Sequence, residues 1–174
     1  MALESVLNSS VVAVLDPHGR AVGTGFVAAP DLILTCAHVV DQAWSGPGQT
    51  VTLRFHATNT VTTARVAAEM WRAPDSDGVA VLRLESALPP GVAPLGLARP
   101  ADDLAGHAFR VLGYPVIGDM AGVFASGVIE GLAPNTTGRR LLQLSSPNLD
   151  QGMSGAPGVD ESSGLAVGMG TAVY

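Results

Sequence analysis

Three short segments carry residues that could act together as a nucleophile, a base and an orienting acid. His38 follows the apolar stretch LILTC, Asp77 comes one glycine before the apolar stretch VAVL, and Ser154 lies in the glycine-flanked sequence GMSGAP. A serine hydroxyl is a weak nucleophile at neutral pH and needs an adjacent base, best a histidine that a carboxylate orients. His38, Asp77 and Ser154 are therefore candidate catalytic residues for acyl transfer.

The glycines beside Ser154 bear on the same chemistry. Gly152 and Gly155 permit a turn in which the backbone amides of Gly152 and Ser154 point at a single oxyanion. Each such donor typically contributes about 3–4 kcal/mol to transition-state stabilisation. The sequence thus predicts an oxyanion hole formed by the amides of Gly152 and Ser154.

The composition excludes several other chemistries. All nine basic residues are arginine, which excludes Schiff-base, serine–lysine and Walker-type phosphate sites because each requires a lysine. A net charge of −6 without basic runs argues against nucleic-acid binding. The only cysteine, Cys36, has no partner for an intramolecular disulfide, and we interpret it as a small buried residue rather than a nucleophile.

No cofactor is expected. We interpret His18 as a solvated turn residue and His56 and His107 as structural residues, and no histidine spacing of the HExxH kind indicates a metal site. The N-terminal MALESVLNSS lacks a basic region and a long apolar stretch, and no window holds the roughly 18 consecutive apolar residues of a membrane span. We therefore expect no signal peptide, no membrane partner and a cytoplasmic location.

The elements that must position these residues are strands. Short β-branched runs recur between glycine- and proline-rich turns, which is typical of an all-β barrel or sandwich. Strands are predicted over residues 10–15, 21–29, 31–36, 51–58, 61–71, 79–85, 107–114, 122–132, 140–146 and 164–173, with one helical turn after residue 36. The proline-rich stretch 86–103 cannot lie inside a sheet, since proline lacks an amide donor, and we interpret it as a linker that crosses the surface. The predicted organisation is two β-rich halves, residues 1–90 and 104–174, joined by residues 91–103.

The motifs TCAHVV, DGVAVLRL and GMSGAP occur in the order His, Asp, Ser, and GYP at residues 113–115 precedes the last of them. With these motifs nearly the whole chain resembles the trypsin-like (chymotrypsin-fold) serine peptidases, in the disulfide-free intracellular form found in bacteria. The resemblance implies two six-stranded antiparallel β-barrels with the site in the cleft between them, and a serine endopeptidase that acts on protein or peptide substrates. Such relatives are often joined to signalling or nucleotide-sensing modules, so the resemblance also implies regulatory domains on a longer chain and an effector role.

The chain departs from the family pattern at three points. Gly78 separates Asp77 from the strand, so either a glycine bulge keeps Asp77 in place or Asp75 is the orienting acid; we prefer Asp77, because glycine is the usual residue at a bulge. Met153 stands where digestive relatives carry an aspartate that pairs with a newly cut N-terminus, so activation by N-terminal cleavage is not expected. Four or five strands follow the linker where a complete barrel has six. We therefore expect the second barrel to lack its final strand, and the chain to be the N-terminal peptidase domain of a longer protein.

Substrate preference is implied by the positions that line the primary pocket in this family. Asn148 lies six residues before Ser154, and Thr171 and Val173 fall on the strand that lines the pocket. A neutral amide offers no full charge to a buried cation, and Val173 narrows the pocket, so a small or medium uncharged residue is expected before the scissile bond. Two other hypotheses stay open: a catalytically inactive protease-fold interaction module, and an esterase on the same triad, ranked lower because the βαβ context of an α/β-hydrolase is missing.

Overall fold

The first half of the chain forms a closed barrel of six antiparallel strands. The computed structural model describes residues 2–74, 78–99, 103–115, 121–134, 140–149 and 153–171. The elements of the first half are α1 (Leu3–Ser10), β1 (Val11–Leu15), β2 (Ala21–Ala29), β3 (Leu32–Cys36), α2 (Ala37–Gln42), β4 (Thr50–Phe55), β5 (Val61–Val66), a short 3-10 turn (Ala68–Met70) and β6 (Val79–Leu84). The strand order around the barrel is β1-β2-β3-β6-β5-β4.

Aliphatic side chains that alternate along the strands fill the barrel. On β3, Ile33 is fully buried between the half-buried Leu32 and Leu34, which is the period of two that a strand imposes. Most side chains of the barrel core are aliphatic, and many of them are β-branched. They include Val12, Val14, Val27, Ile33, Leu53, Val66 and Leu82. Pairing of β3 with β6 places Cys36 opposite Val79. The end of β3 and the start of β6 therefore lie side by side, next to the predicted His38 and Asp77 positions in the sequence.

The second half is a single antiparallel sheet. Its strands are β7 (Ala108–Gly113), β8 (Val123–Pro134), β9 (Arg140–Ser145), β10 (Pro157–Asp160) and β11 (Ala166–Met169), in the order β11-β10-β7-β8-β9. In the described part of the chain this sheet has five strands and curls into a half-barrel. The predicted all-β fold of two antiparallel halves is confirmed, with five strands in the described part of the second half.

Three elements were not predicted from the sequence. The 3-10 turn Ala68–Met70 lies within residues 61–71, which were predicted to be strand, and β5 ends at Val66 because alanine and glutamate are poor strand formers. Strand β10 begins with Pro157 and Gly158, two residues that are poor strand formers; the proline is tolerated because it is the first residue of the strand. Helix α1 covers the N-terminal residues for which no element was predicted. It contains neither glycine nor proline, and its Leu7 is fully buried, so packing rather than intrinsic propensity stabilises this short helix.

The linker does not simply cross the surface as predicted. Leu95 is buried, and its amide donates a hydrogen bond to the Val27 carbonyl of β2 at 2.8 Å. Further along, the Ala98 amide donates to the Ala166 carbonyl of β11, also at 2.8 Å. Leu95 joins an apolar cluster shared by both halves, which also contains Leu7, Val11, Phe26, Leu112, Tyr114 and Val159. The linker is thus bonded to both halves, and its Leu95 is part of their common core.

Candidate active site

His38 is the second residue of α2, the helix that directly follows β3. The apolar Val39 and Val40 of α2 are buried in the barrel core, while His38 is only half-buried. The Ala37 amide donates a hydrogen bond to the Gly78 carbonyl at 2.7 Å, which fastens the start of α2 to the start of β6. Burial lowers the pKa of His38 below its usual value, and the negative charge of Asp41, one helical turn further on, acts in the opposite direction.

Gly78 occupies a backbone conformation that favours glycine. Its φ is +70°, in the left-handed region, and its amide donates to the Ala73 carbonyl at 3.1 Å. Asp75 and Asp77 lie outside the described residues, so the assignment of the orienting acid to Asp77 stays a prediction. The positive φ supplies a physical reason for the glycine that separates Asp77 from β6.

Ser154 lies in a tight turn between β9 and β10. The Ala156 amide donates to the Met153 carbonyl at 2.9 Å, and Gly155, third of the four turn residues, has a φ of +88°. A positive φ at that position is what a type II turn requires and what glycine provides. Met153 is buried in an apolar cluster with Phe109, so its side chain packs the second half where digestive relatives use an aspartate.

The Ser154 turn packs directly against the first half of the fold. The Thr24 amide of β2 donates to the Ser154 carbonyl at 2.9 Å, and a Cβ on Gly155 would overlap the Thr24 carbonyl oxygen and lie 2.6 Å from the Thr35 hydroxyl of β3. Thr35 pairs with Gly25 and lies three residues before His38. These contacts bring Ser154 to the strand end from which His38 projects. In the described part of the chain, no hydrogen bond joins the His38 ring to the Ser154 hydroxyl, a catalytic contact that is often long in unliganded enzymes.

A comparison with known protein families identifies the scaffold that brings these segments together. Residues 23–169 match the family model of the trypsin-like peptidase domain. The chain belongs to this family. The matched range contains both described site residues, His38 and Ser154, and both halves of the fold.

Solved structures similar to this peptidase domain include serine proteases. A serine-to-alanine mutant of Rv3671c from M. tuberculosis H37Rv, in an inactive form, is 28% identical with a TM-score of 0.72, and the match covers 99% of this chain and 78% of that chain. The Rv3671c protease in its inactive form has the same identity and TM-score, with 99% of this chain and 81% of that chain covered. Deg5 is 24% identical with a TM-score of 0.67, covers 99% of this chain and 83% of that chain, and supports the fold. No curated protein sequence matched the chain.

Cys36 of the peptidase domain is a buried neutral thiol, as predicted. Its sulfur lies 3.2 Å from the Gly170 carbonyl, to which it donates, and it is fully inaccessible to solvent. Burial raises the pKa of Cys36 to about 12, so the thiolate needed for nucleophilic attack is not populated near neutral pH. The same Gly170 carbonyl accepts the Gly155 amide at 2.8 Å. Cys36 thus helps to hold the serine turn and does not compete with Ser154.

Two of the predicted substrate-binding residues, Thr171 and Asn148, lie within the described part of the chain. Thr171 is exposed and follows Gly170, whose amide donates to the Ala156 carbonyl at 2.9 Å, so it lies beside the Ser154 turn. Asn148 is exposed after β9, and its amide donates to the Ser146 hydroxyl at 3.2 Å. Gly152 and Val173 lie outside the described residues, so the oxyanion hole and the full pocket stay predictions.

The other histidines make contacts that fit structural roles. His18 is an exposed turn residue whose ring lies edge-on to Trp44, with centroids 5.4 Å apart. His107 lies 3.1 Å from the Asp160 carboxylate. Among the described residues, no group of three His, Cys, Asp or Glu side chains is arranged to hold a metal ion. The two α-helices of the described chain have eight and six residues, and neither is long and apolar enough to cross a membrane.

Sequence reasoning missed the residues that join the two halves. Thr24 lies in the predicted strand 21–29 and Tyr114 in the motif GYP, yet neither was singled out as part of the site. Thr24 is fully buried, and its hydroxyl accepts the Tyr114 amide at 3.0 Å. A buried polar residue needs a hydrogen-bond partner, and that was the available signal: a threonine between two glycines in an otherwise apolar strand.

Proposed function

We propose that this peptidase domain is a serine endopeptidase that cleaves protein substrates through Ser154, His38 and Asp77. The observation that carries the proposal is the seating of the Ser154 turn on β2, beside the strand that leads to His38. This arrangement supplies a nucleophile and a base from the two halves of the fold. The family membership supports peptide hydrolysis as the reaction.

In the proposed mechanism, neutral His38 takes the proton of the Ser154 hydroxyl as its oxygen attacks the scissile carbonyl carbon. The amides of Gly152 and Ser154 stabilise the oxyanion of the tetrahedral intermediate. His38 then gives the proton to the leaving amine, and a water molecule activated by the same imidazole hydrolyses the acyl-enzyme. Asp77 holds the imidazole in the required tautomer and stabilises its protonated form.

The regulation and location are part of the same proposal. Met153 is buried among apolar side chains, where it cannot replace the ion pair that digestive relatives form on N-terminal cleavage. We therefore place control of the enzyme in regulatory domains on a longer chain, with the peptidase as the cytoplasmic effector. Asn148, Thr171 and Val173 are assigned to the substrate pocket, which favours a small or medium uncharged residue before the cleaved bond.

The test compares the parent protein with Ser154→Ala and with the exposed-site control Ser162→Ala. Fluorophosphonate labelling and hydrolysis of a peptide library are measured on all three proteins. We expect Ser154→Ala to lose labelling and about 10⁴- to 10⁶-fold in turnover, while Ser162→Ala keeps both. Parent-level turnover in Ser154→Ala would contradict the mechanism, and dominant cleavage after arginine by the parent would contradict the assigned pocket.

The alternative is a protease-fold interaction module without catalysis. Two observations favour it: Gly78 separates the predicted acid from β6, and the described part of the second half has five strands where a complete barrel has six. Absence of labelling in the parent, in both the isolated chain and any longer form, would support this alternative. Labelling of the longer form alone would support a site that is assembled by the regulatory domains.

A further inference from the structure

Thr24 is hydrogen-bonded to three different segments of the described chain at the junction of the two halves. Its amide donates to the Ser154 carbonyl at 2.9 Å, its hydroxyl accepts the Tyr114 amide at 3.0 Å, and its carbonyl accepts the Thr35 hydroxyl at 2.7 Å. The residue is fully buried. Two segments of the second half are therefore bonded to one residue of the first half.

The segment of Tyr114 is bound to the first half at its side chain as well. The Tyr114 hydroxyl lies 2.6 Å from His56 Nδ1, and the Arg54 guanidinium lies 5.8 Å from the centre of its ring. Burial raises the pKa of Tyr114 to about 12 and lowers that of His56. Both groups are therefore neutral near pH 7, so the contact needs no buried charge, and the His56 tautomer sets which of the two donates.

The Ser154 turn packs closely against Thr24. The site where a Gly155 Cβ would stand is already filled by the Thr24 carbonyl oxygen and the Thr35 hydroxyl. The turn can approach the barrel this closely only because residue 155 is glycine. The backbone of the serine turn is therefore in direct contact with the backbone of Thr24, to which the Ser154 carbonyl is hydrogen-bonded.

We propose that Thr24 is a positioning residue for the reaction, setting the distance between Ser154 and His38 by fastening the serine turn and the Tyr114 segment to β2. This inference rests on the proposed function, since it concerns the placement of its nucleophile. Loss of the hydroxyl removes the acceptor of the buried Tyr114 amide and loosens the second half against β2. The hydrogen bond from the Thr24 amide to the Ser154 carbonyl then holds the serine turn less firmly.

The test uses Thr24→Val, which keeps the shape but removes the hydroxyl, Thr24→Ser, which restores it, and Thr52→Val as a matched control on strand β4. We expect Thr24→Val to lose about 10- to 100-fold in kcat with KM little changed, because small misplacements of reacting groups carry penalties of that size. Thr24→Ser should recover most of the loss, and Thr52→Val should match the parent. Parent-level kcat in Thr24→Val, or an equal loss in Thr24→Ser, overturns the inference.

Two further measurements distinguish a failure of this inference from misfolding of the variant and from a failure of the proposed function. If Thr24→Val does not fold, Thr24→Ala takes its place: a lower kcat at unchanged KM that Thr24→Ser restores supports the inference, and parent-level kcat in Thr24→Ala overturns it. If the parent lacks Ser154-dependent hydrolysis, the proposed function fails, and positioning is then read from amide hydrogen exchange at residue 24. Faster exchange in Thr24→Val supports the role of the hydroxyl in holding the serine turn, and unchanged exchange rejects it.

Discussion

At the scale of single residues, the state of His38 decides whether a base is available. Its ring is half-buried at the start of α2, and burial disfavours the charged imidazolium. Asp41 lies one turn further along the same helix, and its negative charge favours the imidazolium. A described carboxylate outside the predicted triad therefore contributes to the protonation of the candidate base.

This arrangement predicts a pH effect with a defined sign. Only neutral His38 can accept the Ser154 proton, so kcat/KM falls as the pH drops through the pKa of His38. Asp41→Asn removes a charge that raises this pKa, and the acid limb of kcat/KM should therefore move to lower pH. The effect should shrink at high salt because Asp41 is exposed.

The control is Asp31→Asn, another exposed acid, located in the turn between β2 and β3. It should leave the acid limb where it is in the parent. A limb that moves to higher pH in Asp41→Asn, or by the same amount in both variants, would rule out the contribution of Asp41.

At the scale of elements, the serine turn depends on one glycine for two separate reasons. Gly155 has a φ of +88°, and the space beside it is filled by Thr24 and Thr35. Gly164, in the turn between β10 and β11, has a φ of +71° with nothing within 4 Å of an added Cβ. A comparison of substitutions at Gly155 and Gly164 therefore separates the effect of the positive φ from the effect of the close contact at residue 155.

We expect Gly164→Ala to lower the free energy of unfolding by about 1–2 kcal/mol, the usual cost of a left-handed conformation for a residue with a Cβ. Gly155→Ala should lower it further and should also abolish fluorophosphonate labelling, because the turn must move off β2. Urea unfolding and labelling of both variants measure these effects. Equal destabilisation with labelling retained in both would show that the close approach of the turn is unimportant.

At the scale of the whole molecule, the two halves share an apolar cluster. Leu95 of the linker is buried in it, while Leu97, two residues later, is 52% exposed. The cluster also contains Leu112 and Tyr114 of the second half and Phe26 of β2. Burial across the junction couples the halves, so they should unfold together.

We expect Leu95→Ala to lower the free energy of unfolding by roughly 2–5 kcal/mol, the range for removal of a buried leucine side chain. Leu97→Ala should change it by less than about 0.5 kcal/mol, as surface substitutions usually do. Denaturant unfolding followed by two optical probes measures both values. Similar stability of the two variants, or separate transitions of the halves in the parent, would refute the shared core.

The sequence predicted most of the strands, the buried thiol and the glycine at the serine turn, because these depend on local chemistry. Alternating apolar residues identify a strand such as β3 within a few positions, and a glycine between two predicted strands, such as Gly155, indicates a left-handed turn residue. The pattern failed for β10, which starts with proline and glycine, and for α1, which packing of Leu7 stabilises. In both cases tertiary contacts overrode local preference.

What only the tertiary structure decided is the joint between the halves. Cys36 and Gly170 are 134 residues apart in the chain and meet through a hydrogen bond, and Thr24 meets Ser154 and Tyr114 in the same region. No local pattern encodes such pairs, since they form only when the two sheets have packed on each other with Leu95 of the linker in their common core. The sequence by itself thus determined which residue types could do chemistry and which elements carry them. The packing of one half on the other decided which of them stand next to Ser154.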